Sequence, residues 1–253
     1  MSRDPSNWAT KGTDLQVGDI PKGAINLNVQ GRSVNSPIQG FGKMWQKTYR
    51  VNLGENVDAA EVIKTWKEKF PTFWPKGQNF YGPITGIAPG EVALLNLAMP
   101  GGVKLSTGVL VLYADEESFT LMTPQGHMFA GWITFSSFAL PEGVVAQTQV
   151  LIRASDPLYE AAFTLGGKRK EDRFWDATLK SLAAHFGIAD AKVEVTAVCV
   201  DKKRQWKRAG NIKQNAAIRS GMYAVGIGRR KAKAAATAAA ATSAAASVAE
   251  HSE

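Results

Sequence analysis

The sequence predicts an α+β domain in which a curved antiparallel sheet of about seven strands wraps around a long C-terminal helix. Three observations predict it. Hydrophobicity alternates with a period of two from Asn79 to Arg153, and short turn sequences interrupt it at regular intervals. One amphipathic strand and one helix precede that run. After it, apolar residues recur at helical spacing from Leu158 to Phe186.

Residues 1–42 form a polar arm rich in Gly, Pro, Asn and Ser, where Ile25, Leu27 and Val29 alternate as a short added strand would. In residues 43–53 (KMWQKTYRVNL), Trp45, Tyr49, Val51 and Leu53 lie on one side and Gln46, Thr48 and Arg50 on the other, the pattern of a half-buried strand. Asp58 with Glu61 three positions later has the spacing of a capping box; Val62, Ile63, Trp66 and Phe70 follow at helical intervals, and Pro71 ends that helix. Ile84–Ile87, Glu91–Ala98, Leu105–Tyr113, Ser118–Thr123, His127–Phe138 and Val144–Arg153 read as six strands. The gaps between them carry Pro-Gly and acidic turn sequences too short for crossover helices, so the sheet is an antiparallel meander. Asp156-Pro157 supplies an N-cap and a first-turn proline for the last large helix. Its inner stripe is Leu158, Ala162, Leu165, Trp175, Leu179, Leu182 and Phe186, with a kink expected at Gly166-Gly167. Beyond Gly187, residues 188–231 read as a basic extension with a strand over Lys192–Val200 and a short helix, and 232–253 as an Ala-rich disordered tail.

The length of 253 residues, with 45% hydrophobic and 21% charged side chains, suits one sizeable core centred on 43–187. A single cysteine, Cys199, rules out an internal disulfide and fits a reducing compartment. The start of the chain has no apolar signal segment and no apolar run is long enough to span a bilayer, so a cytoplasmic protein is expected. The net charge of +8 lies after Val200, in Lys202–Arg208 and Arg229–Lys233. Any argument from charge therefore concerns the extension and not the sheet.

The middle of the meander reads FTLMTPQGHMFAGWITF from Phe119 to Phe135. Its T-P-x-G-H…G…F pattern is similar to an uncharacterised bacterial branch of the helix-grip superfamily, which includes Bet v 1-type allergens, START domains and polyketide cyclases. The element order over 43–186 resembles that superfamily as well. The resemblance implies a cavity between sheet and helix that takes hydrophobic or amphipathic molecules, and a kinked helix able to enlarge or gate it. The arm and the tail are not part of the likeness.

Trp45, Tyr49, Tyr113, His127, Phe129, Ile133, Trp175 and Leu179 are the candidate ligand-binding residues. Two readings of His127 stand: an acid/base or carbonyl-orienting group on the concave face, in strand parity with Phe129 and Ile133, or a hairpin-end residue hydrogen-bonded to its own turn. Asp172 likewise either faces the cavity, where desolvation raises a carboxyl pKa, or lies in a solvated segment, Lys168–Arg173, beyond the glycine break. Tyr113 is placed near the cavity mouth, and the polar row Gln147, Gln149 and Arg153 on the outer surface. No metal site, cofactor motif or catalytic signature is present. The expected function is binding or carriage of a hydrophobic small molecule, such as a lipid or polyketide. The alternatives are a cyclase-, hydratase- or isomerase-type enzyme using His127 and Asp172, and an adaptor whose basic tail binds anionic membrane or nucleic acid weakly.

Overall fold

In the computed structural model, which describes residues 4–10, 14–18, 20–83, 85–99, 102 and 104–226, the alternating segments form one antiparallel sheet. The strands are β1 Met44–Asn52, β2 Asn79–Tyr81, β3 Val92–Ala98, β4 Lys104–Ala114, β5 Ser118–Met122, β6 Phe129–Leu140, β7 Gly143–Ala154 and β8 Val193–Asp201. Their order, β2-β3-β4-β5-β6-β7-β1-β8, is a meander closed by β1 on the far side of β7. The strand that the sequence places in the C-terminal extension, β8, thus pairs with β1 in the same sheet.

Among the described residues four α-helices complete the fold: α1 Ala59–Lys69, α2 Pro157–Ala162, α3 Lys168–His185 and α4 Ala216–Ala224. Asp58 caps α1 by accepting from the Glu61 amide at 2.9 Å, and Asp156 caps α2 through the amides of Leu158 and Tyr159. A π-helical turn, Phe163–Gly167, joins α2 to α3. Gly166 has φ 130° there, a conformation that only glycine adopts without strain, so the expected kink falls at the glycine pair. This is the architecture of the helix-grip fold: an α+β domain with a helix laid across the concave face of one antiparallel sheet.

Two strand expectations are corrected. Residue 84 lies outside the described residues, but 85–87 form a turn with φ 86° at Gly86, whose amide bonds Pro83 O; the strand forms earlier, at Asn79–Tyr81. Ile25, Leu27 and Val29 form no strand either. Asn28 spends its side-chain amide on Ser106 O, and the Arg32 amide turns back to Val29 O, so the arm rests on β4 through side chains instead of a ladder. Val29 is buried there with Leu15, Val92 and Leu94.

One end of the concave face is closed by α1. Trp66, Phe70, Phe119 and Phe135 are buried there, with Phe119 and Phe135 stacked at 4.7 Å and Phe70 edge-on to Phe135 at 5.0 Å. Each such ring removes about 150–250 Å² from water, so this cluster is a principal source of the fold's stability. At the end of the sheet beside α2 and the β5–β6 turn, the segment after β8 is docked by buried polar contacts. Asn215 donates to Asp156, the Ala216 amide donates to Gly126 O at 2.9 Å, and Ser220 receives the amide of Ser106. Arg153 is covered in consequence. Its guanidinium donates to Gly42 O, Lys203 O and Asp201, so this member of the outer polar row is buried, contrary to expectation.

Candidate functional site: a charged cluster at the seam of sheet and helix

Cross-strand register sets out the concave face in rows. Lys47, Val150, Ile133 and Leu121 form one row; Tyr49, Thr148, Phe135 and Phe119 form the next toward α1. On the other side, Trp45 and Ile152 align with Gly131, which presents no side chain. The row on the α1 side continues into the aromatic core. The Lys47 row meets α3 instead.

There the fully buried ammonium of Lys47 is held between two consecutive carboxylates. It forms ion pairs with Glu171 and with Asp172 Oδ1 at 2.8 Å. The same Asp172 oxygen accepts from the Tyr49 hydroxyl at 2.8 Å, and the Phe163 ring lies 5.4 Å from Lys47 Nζ. Glu171 is 8% exposed at its side chain and Asp172 33%. One cation between two carboxylates leaves an excess of negative charge in a poorly hydrated place. Desolvation, offset by Lys47 and reinforced by Asp172, pushes the Glu171 carboxyl above the ordinary range. The Tyr49 phenol is held far above its usual value by burial and by the same two carboxylates, so it serves only as a hydrogen-bond donor.

Hydrogen-bonding capacity is left over around this cluster. Glu171 Oε1 and Thr148 Oγ1 are buried without a partner, as are the indole nitrogens of Trp66 and Trp74 in the adjoining aromatic core. A buried polar atom without a partner costs about 1–3 kcal/mol, so several on one face of a fold require an explanation. Phe129, Ile133 and Trp175, by contrast, are only partly buried although they face the helix side. The face is dry and filled under α1, and polar and incompletely covered under the kink and the start of α3. A separate open depression of about 420 Å³ at the kink is lined by Thr164, Leu165, Gly166, Lys168 and Arg169 and shares no residue with the charged cluster.

Six of the eight predicted binding residues come together on this seam. Tyr49 belongs to the cluster, Leu179 is buried beneath α3, and Trp175 packs on Phe135 at 5.6 Å. Ile133 and Phe129 lie on β6, and Trp45 carries the Lys168 ammonium 3.9 Å from its ring centre. The other two lie elsewhere. A bulge between Val111 and Tyr113 reverses the parity of β4, so Tyr113 packs on Trp8 of the arm at 4.7 Å and donates to Asp115. His127 precedes β6 in its turn. It is buried, with Nδ1 3.0 Å from the amide nitrogen of Phe129, and desolvation pushes its pKa down to about 4. His127 thus bonds the backbone of Phe129, while Asp172 bonds Lys47 and Tyr49.

Sequence reasoning missed Lys47, Thr148, Phe163 and Glu171. The signal for Lys47 was present: a lysine in register with Trp45, Tyr49 and Val51 on the inward side of β1 must be paired. Lys168–Arg173 is not a solvated stretch throughout, because Glu171 and Asp172 turn toward β1 where α3 begins. Leu158 and Ala162 of α2 and Leu165 at the kink are exposed, Leu165 by 87%, so none of the three belongs to the inner stripe.

No protein-family model and no curated protein matches the chain. Several solved structures are similar in chain trace. A START superfamily protein from Mycobacterium smegmatis is 21% identical, with 58% of this chain and 98% of that one covered and a TM-score of 0.38. The allergen Ara h 8.0201 is 13% identical over 56% and 97%, with a TM-score of 0.38. The di-domain aromatase/cyclase StfQ of the steffimycin biosynthetic pathway is 11% identical with a TM-score of 0.42, and the match spans 56% of this chain and half of that one. Among the described residues no helix is long and apolar enough to cross a membrane, and no group of three His, Cys, Asp or Glu side chains is placed to hold a metal ion.

Proposed function

We propose that the chain binds a hydrophobic or amphipathic small molecule, of the size of a lipid or polyketide, between the concave face and the start of α3. The observation that carries this reading is the set of buried, unpartnered polar atoms, Glu171 Oε1 and Thr148 Oγ1, beside the half-covered apolar surface of Phe129, Ile133 and Trp175. Such a lining fits a ligand with an apolar body and a hydroxyl or similar head. The body lies on Ile133 and Phe129, over the place where Gly131 presents no side chain. The head bonds Glu171 or Thr148 and reaches the one-third-exposed carboxylate of Asp172.

An environment-sensitive hydrophobic dye titrated into the protein is expected to show one saturable site that fatty acids or polyketides displace. Ile133→Trp, which fills the middle of the face, is expected to remove that site while the melting transition persists. A folded protein with no saturable dye binding contradicts the proposal.

An enzyme of the cyclase, hydratase or isomerase kind is the second reading. The observation in its favour is Glu171, a buried carboxyl whose raised pKa suits a proton donor. In that reading Glu171 takes the role that the sequence offered to His127. The third reading, a basic tail on anionic membrane or nucleic acid, draws on Lys202, Lys203 and Lys207, since Arg204 is already paired with buried Glu160. Its second cluster, Arg229–Lys233, lies outside the described residues.

A further inference from the structure

The charges of the seam do not balance. Glu171 and Asp172 share the ammonium of Lys47, and Tyr49 adds only a neutral hydroxyl, which donates to Asp172. The bases beside them in the run do not supply the missing charge. Lys168 lies 3.9 Å from the Trp45 ring centre, and Arg169, Lys170 and Arg173 are exposed, where water and salt screen them. Among the described residues none of these bases forms an ion pair with Glu171 or Asp172. Asp172 keeps a third of its side chain in water, whereas Glu171 is 8% exposed. The charge left without compensation is therefore that of Glu171. Desolvation, with Asp172 beside it, raises the pKa of this carboxyl, as expected of a buried acid short of cations.

The surroundings suit a cation that carries N–H groups. Glu171 Oε1 is buried without a partner, and so is Thr148 Oγ1, on the residue paired with Tyr49 across the β1–β7 ladder. Aromatic rings adjoin the cluster. Phe163 lies 5.4 Å from Lys47 Nζ, with Phe129 edge-on to it at 5.2 Å, and Trp175 follows Glu171 by four residues, on the same side of α3. The faces of such rings carry partial negative charge and attract an ammonium that has left water.

We propose that the molecule bound in the seam is an amine-headed amphiphile, whose primary ammonium donates to Glu171 Oε1 and supplies the second positive charge. This rests on the reading of the seam as a small-molecule site and adds the chemistry of the head. Thr148 Oγ1 accepts from another N–H of the same head, and the apolar chain lies on Ile133 and Phe129. With the ammonium in place, two cations face the two carboxylates. An alcohol makes similar hydrogen bonds without balancing the charge, and a fatty acid brings a third carboxylate to the other two.

Displacement of a neutral, environment-sensitive hydrophobic dye by dodecylamine, dodecanol and dodecanoate tests this, with each probe below its micellar concentration at neutral pH and one ionic strength. Dodecylamine is expected to displace the dye at roughly tenfold lower concentration than dodecanol, since a charge-assisted hydrogen bond in a poorly hydrated place is the stronger. Dodecanoate is expected to need the highest concentration. Glu171→Gln keeps the shape and leaves Lys47 paired with Asp172; in this variant the ratio between amine and alcohol falls to about one. The comparison of probes uses the parent protein alone, so it decides the matter even if the variant folds poorly. Equal displacement by dodecanol and dodecylamine at a saturable site overturns the proposal and leaves the seam a small-molecule site without a charge preference. A folded Glu171→Gln that keeps the preference for the amine overturns it too. The lack of any saturable dye site removes the reading on which it rests, and the proposal with it.

Discussion

Lys47→Met is expected to destabilise the protein by about 3–5 kcal/mol, which denaturant titration at neutral pH measures. The lysine is fully buried and, among the described residues, is the one cation bonded to Glu171 and Asp172, with ion pairs to both. Removing it leaves two adjacent carboxylates in a poorly solvated seam, and that uncompensated charge is the source of the loss. Asp172 retains some contact with water, so the lower part of the range is expected. Adding Glu171→Gln to Lys47→Met removes one of the stranded charges and is expected to recover part of the stability. A loss below about 1 kcal/mol, the range of exposed pairs, would show that the cluster is not closed in solution.

The second large effect is a dependence on acid that His127 controls. Burial pushes its pKa down to about 4, against an ordinary value of 6.5. Between these values the unfolded chain binds a proton at this position that the folded chain refuses. Stability is therefore complete above pH 6.5 and falls as the pH is lowered toward 4, by about 3 kcal/mol across the window. His127→Asn keeps an oxygen able to accept from the Phe129 amide and has nothing to titrate. Denaturation midpoints of the two proteins, compared at pH 7, 5.5 and 4, are expected to converge or cross as the pH falls. A constant difference would show that His127 is hydrated in the folded state. Ligand binding by His127→Asn is expected to match the parent protein at neutral pH, since His127 bonds its own turn rather than the seam.

How much was legible in the sequence follows from what kind of signal each feature leaves. The meander was legible because half-buried strands alternate and short turns leave no room for crossovers; the capped starts of α1 and α2 and the break at Gly166 were legible because they depend on local chemistry alone. Tyr113 was misplaced because a β-bulge changes strand parity without any mark in composition. Ile25–Val29 showed alternation but lacked a neighbour to pair with, since side-chain bonds to Ser106 took its place. The charged cluster was hidden for a different reason. Glu171 and Asp172 sit in a run of charges that looks solvated, and only the kink turns them toward Lys47, more than 120 residues earlier in the chain. Half of an ion pair is visible in a sequence as an out-of-place charge, but its partner is not. In the same way, the burial of Arg153 is tied to Asp201 and Lys203, some 50 residues later in the chain.

Native mass spectrometry of the full chain, purified without denaturation from the cells that make it, tests most directly whether the seam holds a small molecule. The expected spectrum shows the chain together with a discrete, labile added mass of lipid or polyketide size. That mass is lost in Ile133→Trp, which blocks the apolar floor, and weakened in Thr148→Val, which removes one of the unpartnered polar groups. The account is contradicted if the parent protein carries only its own mass while the dye titration shows no saturable site, or if Ile133→Trp, still folded, retains the same added mass.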